Sequence, residues 1–209
     1  MTTAREELLG LVPPPTDAAV DAVDWERVED ELGVRLPDDY KWLSERYGSG
    51  GFDDFMHILH PRSQFWPTRL VDAAERAAEL LEQMPEGLRK RVPHRIDHLL
   101  AVGKTDNGDT IYWVTEPEAA PNEWAVTANG ARNTKWPHFV GGIVEFLVAV
   151  LSGATRMDVF PGDFPSARPA FVPDPDPDPA FVPDPDPDTV RRRPKERRTD
   201  HPTQGGIRG

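Results

Sequence analysis

DWERVEDELGVRLPDDYKWLSERYGSGGF, residues Asp24 to Phe52, decides the fold of this chain. Trp25, Val28 and Leu32 recur at i, i+3 and i+7, which places them on one stripe of a helix. Asp24 suits the N-cap of that helix, and Gly33 suits the left-handed residue that ends it. A second helix starts at Leu36-Pro37: proline is tolerated in a first turn, and the helix dipole favours Asp38 and Asp39 there. Tyr40, Leu43 and Tyr47 form its stripe before Gly48, Gly50 and Gly51 stop it. These are caps, stops and core positions rather than catalytic groups. The stretch specifies a packing unit.

Working outward, Ala4 to Leu11 reads as a short helix broken by Pro13-Pro14-Pro15. Phe52 to Leu59 is short and apolar and reads as a first strand, followed by a Pro-bounded loop carrying Phe65 and Trp66. A third helix is expected from Asp72, with Glu75 as its capping-box partner and Ala74, Ala78 and Leu81 as its stripe. Leu99–Val102 and Thr110–Thr115 flank Asp106-Asn107-Gly108-Asp109, a hairpin signal because Asn-Gly accepts positive φ. Trp124–Thr127 reads as a further strand, with a second turn at Asn129-Gly130. In GGIVEFLVAVLSG, Ile143, Phe146, Leu147 and Val150 form the stripe of a buried helix that Gly153 ends. The expected class is α+β: an antiparallel sheet packed with N-terminal helices and a closing C-terminal helix.

The opening block resembles the signature of the SUKH superfamily, which includes yeast cell-wall-assembly regulators and bacterial toxin-immunity proteins. The resemblance is carried by Trp25, Val28, Glu29, Leu32, Gly33, Leu36, Pro37, Tyr40, Leu43 and Gly48. Gly108, Asp109, Trp113, Trp124, Phe139 and Phe146 fit the later half of the family pattern, so the likeness spans roughly residues 20–153. It implies a binding module rather than an enzyme, with two readings. One is an immunity protein that neutralises a cognate nuclease- or deaminase-type toxin. The other is a regulatory scaffold acting through several protein contacts.

The chain has 209 residues, a formal net charge of −12 and no cysteine. That charge disfavours non-specific binding to nucleic acid. Absence of cysteine excludes disulfides and thiolate sites and fits a cytoplasmic protein. No apolar run is long enough to span a bilayer, and the N-terminus lacks a signal-peptide hydrophobic region. Residues 1–160 are read as the domain and 161–209 as a disordered tail. In that tail PAFVPDPDPD occurs at 169–178 and again, unchanged, at 179–188, ahead of the basic run Arg191 to Arg198. Deleting 163–209 is expected to spare an immunity function and to abolish a tail-dependent scaffold.

Candidate chemistry is sparse. His94-Arg95-Ile96-Asp97-His98 superficially resembles an H-x-x-E-H zinc-peptidase motif with Asp in place of Glu, but Pro93 precedes it and a strand follows. His57 and His60 sit in strand-like context. Asp106, Asn107 and Asp109 make a turn too short for an EF-hand. Gly48, Gly50 and Gly51 lack the lysine of a phosphate loop, and no nucleophile elbow occurs. No metal or cofactor is expected. Trp25, Trp113 and Trp124 read as core. The candidate partner-binding residues are Asp38, Asp39, Trp42, Asp53, Asp54 and Trp66, aromatic anchors among carboxylates that would attract a basic protein partner.

Overall fold

The computed structural model describes residues 2–16, 22–132 and 134–175. Helices α1 (Ala4–Leu11), α2 (Trp25–Leu32) and α3 (Asp38–Tyr47) precede strands β1 (Gly50–Phe52) and β2 (Met56–Ile58). Helices α4 (Leu70–Glu82) and α5 (Glu86–Arg89) follow, then β3 (Leu99–Thr105), β4 (Thr110–Val114), β5 (Ala125–Asn129) and β6 (His138–Phe139). Helix α6 (Ile143–Leu151) and strand β7 (Phe171–Pro173) complete the described elements. The fold is α+β, as the order of sequence patterns implies.

Local chemistry sets the opening helices. The Asp24 carboxylate accepts the Arg27 N–H, and Gly33 ends α2 at φ 71°. Gly48 ends α3 at φ 74°. The strands form one antiparallel sheet in the order β6-β5-β4-β3-β2-β1-β7, a meander whose last strand returns to the far edge. Both faces of β4 and β5 are covered, since nearly every residue in them is buried. Trp113 in β4 and Trp124 just before β5 are fully buried, and Trp113 meets Tyr40 of α3 edge-on at 5.0 Å between centroids. The Tyr40 and Tyr47 hydroxyls donate to the carbonyls of Leu59 (2.7 Å) and Val12 (2.6 Å), so each buried phenol is satisfied. α4 packs on β3, and α6 packs against α1 and α3.

Four expectations need correcting. Phe52–Leu59 is not one strand but the hairpin β1–β2, because Asp53 and Asp54 turn the chain at φ 60° and 50°. Both central residues of that turn lie in the left-handed region, the geometry that matches strand twist. Helix α4 begins at Leu70 rather than Asp72 and has no side-chain cap; Asp72 pairs instead with Arg69 at 2.8 Å. Burial of Leu70, which is 0 % exposed, outweighs the capping signal two residues on. Trp25 is only half-buried and donates its indole N–H to Glu45 at 2.6 Å. Finally, the fold does not stop at residue 160, since β7 pairs with β1 inside the segment read as tail. The second decapeptide and the basic run lie outside the described residues.

Candidate functional site

The six candidate partner-binding residues fall on three elements. On α3, Asp38 and Asn122 exchange two hydrogen bonds: Asp38 N–H to Asn122 Oδ1 (2.7 Å) and Asn122 Nδ2 to Asp38 Oδ2 (2.8 Å). Asp39 turns inward, and its Oδ2 accepts the Val144 N–H at 3.1 Å, at the start of α6. Gly142, which precedes α6, has no side chain to cap it, so α3 supplies the cap from outside. Any Cβ at Gly142 would run into the Asp39 carboxylate. Burial pushes the Asp39 carboxyl above its ordinary range, against the opposing pull of the Val144 amide. Trp42 is half-buried, with the Arg5 guanidinium 5.3 Å from its ring centroid.

In the β1–β2 turn, Asp53 accepts both the N–H and the hydroxyl of Ser166 at 2.6 Å each, while Asp54 is exposed. Trp66 opens a single 3₁₀ turn, Trp66–Thr68, and lines an apolar groove of about 140 Å³ between α4 and β3. Leu80, 53 % exposed, forms the rim, and Lys104 donates from the wall to the Pro67 carbonyl at 3.4 Å. Of the six residues, then, Asp39 and Asp53 bind the fold together; Asp38, Trp42, Asp54 and Trp66 retain surface.

Two features escaped the sequence reading. One is Glu29, which is 6 % exposed. Its carboxylate accepts the Leu36 N–H (2.8 Å), Lys41 Nζ (2.5 Å) and Arg35 Nη1 (3.2 Å), joining α2 to α3. Burial alone would push this carboxyl up, but the Leu36 amide and the Lys41 and Arg35 cations outweigh it and hold it below the usual range. Glu29→Gln keeps the shape and one acceptor but loses the charge. It is expected to cost about 1–2 kcal/mol in urea unfolding, and no change would show that the three contacts do not stabilise the α2–α3 corner. The other feature is the outer face of α2, where Asp24, Glu26, Asp30 and Glu31 are exposed around Arg27 and line a shallow concavity of about 410 Å³. The signal was present as WERVEDEL, in which every position off the apolar stripe except Arg27 is acidic.

The histidines and turn aspartates that the sequence singles out each meet a neighbouring group. His94 lies 5.2 Å from His138 between centroids, and burial, then the His138 ring, hold its pKa down. His98 sits 3.1 Å from Glu116, and His57 sits 3.0 Å from Asp106. Asp109 is buried and accepts the Thr105 hydroxyl (2.8 Å) and the Ala131 N–H (3.0 Å), bracing two turns. Among the described residues no group of three or more His, Cys, Asp or Glu is placed to hold a metal ion. Among them, too, no helix is long and apolar enough to cross a membrane.

No curated protein and no solved structure was found to match the chain. A family model does match: SUKH_6, described as SMI1-KNR4 cell-wall, covers residues 23–140. The matched span runs from the approach to α2 through β6, and includes the Glu29 corner, the Asp109 turn and the Tyr40–Trp113 contact; α6 and β7 lie beyond it. With more than half of its length matched, the chain belongs to the SMI1-KNR4 cell-wall family of the SUKH superfamily.

Proposed function

We propose that this chain is a non-enzymatic binding protein, an immunity protein that neutralises a cognate nuclease- or deaminase-type toxin by stoichiometric binding. The observation that carries this reading is the outer face of α2, with four exposed carboxylates around one arginine on a chain of net charge −12. Proteins that process nucleic acid present basic grooves to phosphate, and an acidic face competes for such a groove. Asp38, Asp54, Trp42 and Trp66 remain candidate anchors, since aromatic anchors dominate most interfaces. Family membership supports protein contact in general, whereas the toxin is the step taken beyond it.

Co-expression with the toxin-domain product of a neighbouring gene is expected to restore growth, and the two proteins to co-purify one to one. Growth arrest despite equal expression would remove the immunity reading. Reversing charge at Glu26→Lys together with Asp30→Lys is expected to slow association about tenfold at low salt and to flatten its salt dependence. An unchanged association rate by surface plasmon resonance would place the interface elsewhere. The scaffold reading is separated by truncation, but the cut must come after residue 175, because removing 163–209 also removes β7 from the sheet.

A further inference from the structure

Two Asn-Gly pairs occur in the chain, Asn107-Gly108 and Asn129-Gly130, and the fold gives them opposite surroundings. At such a pair the glycine nitrogen can attack the asparagine side chain, because no glycine side chain shields it and its backbone turns freely. Asn107 and Gly108 are both exposed at the tip of the β3–β4 hairpin. Gly108 stands at φ 83°, and a Cβ built on it would meet only the Ala131 Cβ, at 3.6 Å. Its N–H donates to the Thr105 carbonyl at 2.9 Å. Asn129, by contrast, is 5 % exposed and lies in β5, paired with Thr110 of β4. A Cβ on Gly130 would press on Val159 at 3.1 Å.

We propose that Asn107 is a site of spontaneous deamidation, and that its isoaspartyl product loosens the brace which Asp109 gives to the hairpin. The Gly108 nitrogen forms a bond to the side-chain carbonyl carbon of Asn107. The bond from that carbon to the side-chain nitrogen breaks, and ammonia leaves with the proton of the Gly108 amide. Water then opens the five-membered ring at either carbonyl, giving aspartate or isoaspartate. Ring closure requires the asparagine backbone to swing round and the glycine N–H to leave its hydrogen bond. At Asn107 that opens an exposed turn, whereas at Asn129 it withdraws a buried residue from the β4–β5 ladder.

The consequence falls on Asp109. In the isoaspartyl product the main chain runs through the former side chain and gains one carbon between residues 107 and 108. The tip has little slack to absorb it. The Thr105 N–H donates to the Asp109 carbonyl (3.0 Å), the Thr105 hydroxyl to the Asp109 carboxylate (2.8 Å), and the Asp109 N–H to the Thr105 hydroxyl (3.2 Å). The same carboxylate is buried and accepts the Ala131 N–H at 3.0 Å. A buried carboxylate that loses a donor is costly. The new negative charge also lands beside Asp106, on a chain already at −12.

The test ages the full chain at mildly alkaline pH, natively and in urea, and follows both asparagines by peptide mapping and enzymatic methylation of isoaspartate. In the native chain Asn107 is expected to convert more than about tenfold faster than Asn129, and in urea the two rates should converge. Asn107→Gln, whose longer side chain cannot close the five-membered ring, should abolish the isoaspartate signal. Comparable native rates at the two positions, an Asn107 that stays intact while the urea-unfolded chain converts, or a signal that survives Asn107→Gln would overturn the site. Asn107→Asp adds the charge without the extra carbon. The isoaspartyl fraction, separated by anion exchange, should lose about tenfold in the folding equilibrium relative to Asn107→Asp, the loss of one charge-assisted hydrogen bond. Equal urea midpoints for the two would overturn the loosening of the Asp109 brace.

Discussion

Trp113→Ala is expected to destabilise the folded chain by about 3–5 kcal/mol, a large share of the 5–15 kcal/mol that holds most domains together. Trp113 is 0 % exposed in β4, edge-on to Tyr40 of α3 at 5.0 Å and 6.0 Å from Trp124, which immediately precedes β5. Removing the indole opens a cavity where a helix meets the sheet, and the helix cannot collapse into it freely. Tyr40 is tied to the Leu59 carbonyl and its helix is tied to α6 through Asp39. The indole N–H of Trp113 has no hydrogen-bond partner among the described residues, so Trp113→Phe forfeits little polar stabilisation and should cost about 1–2 kcal/mol. Trp25 is the control: half-buried, with its N–H on Glu45, it should cost no more than about 1–2 kcal/mol as Trp25→Ala. Urea unfolding followed by far-UV circular dichroism measures all three. Equal losses for Trp25→Ala and Trp113→Ala would show that the Tyr40–Trp113 contact is not the centre of the core.

Features of this fold that were legible in sequence are those whose causes lie within a few residues. Asp24 caps the amide three residues on, and Gly33 and Gly108 take φ of 71° and 83°, conformations that glycine adopts without strain. Features that were not legible depend on distant partners. The Asp53-Asp54 turn contains no glycine, and its clamp on Ser166 spans 113 residues. The cap of α6 by Asp39 spans 105 residues, so a carboxylate that composition marks as surface is in fact a bracket. Strand β7 is hidden by its prolines, which rule out a central strand but not an edge one against Gly50. Glu29 has the residue type of a solvated face, and only the approach of Leu36 and Lys41 makes its burial possible. The acidic face of α2 was visible as composition, but the concavity that it lines was not.

Mild acid is expected to weaken the fold chiefly through His60. It is 6 % exposed; its Nδ1 accepts the Arg62 N–H at 3.1 Å, and its Nε2 has no hydrogen-bond partner among the described residues. The neutral ring therefore carries its proton on Nε2, and protonation must place a second proton on the nitrogen that faces a donor. Burial pushes the pKa down to about 4; the Ser44 backbone and the Asp174 carboxylate oppose the shift, and Arg62 adds to it. An unfolded histidine titrates near 6.5. Between the two values the unfolded chain binds more protons than the folded one, so stability is intact above pH 6.5 and falls as pH drops towards 4. Over that interval the loss amounts to about 3 kcal/mol. His94, also depressed, acts in the same direction, while Glu29 contributes only below the ordinary carboxylate range. Asp39, raised by burial, acts in the opposite sense. His60→Gln supplies an uncharged acceptor for the Arg62 amide and removes the titration. Its urea midpoint should fall less from pH 7 to 5 than that of the parent chain, the remaining fall being the share of His94. Parallel curves for the two proteins would show that His60 is protonated in the folded state without penalty, and the enclosed, unpartnered Nε2 would then have to be open to water.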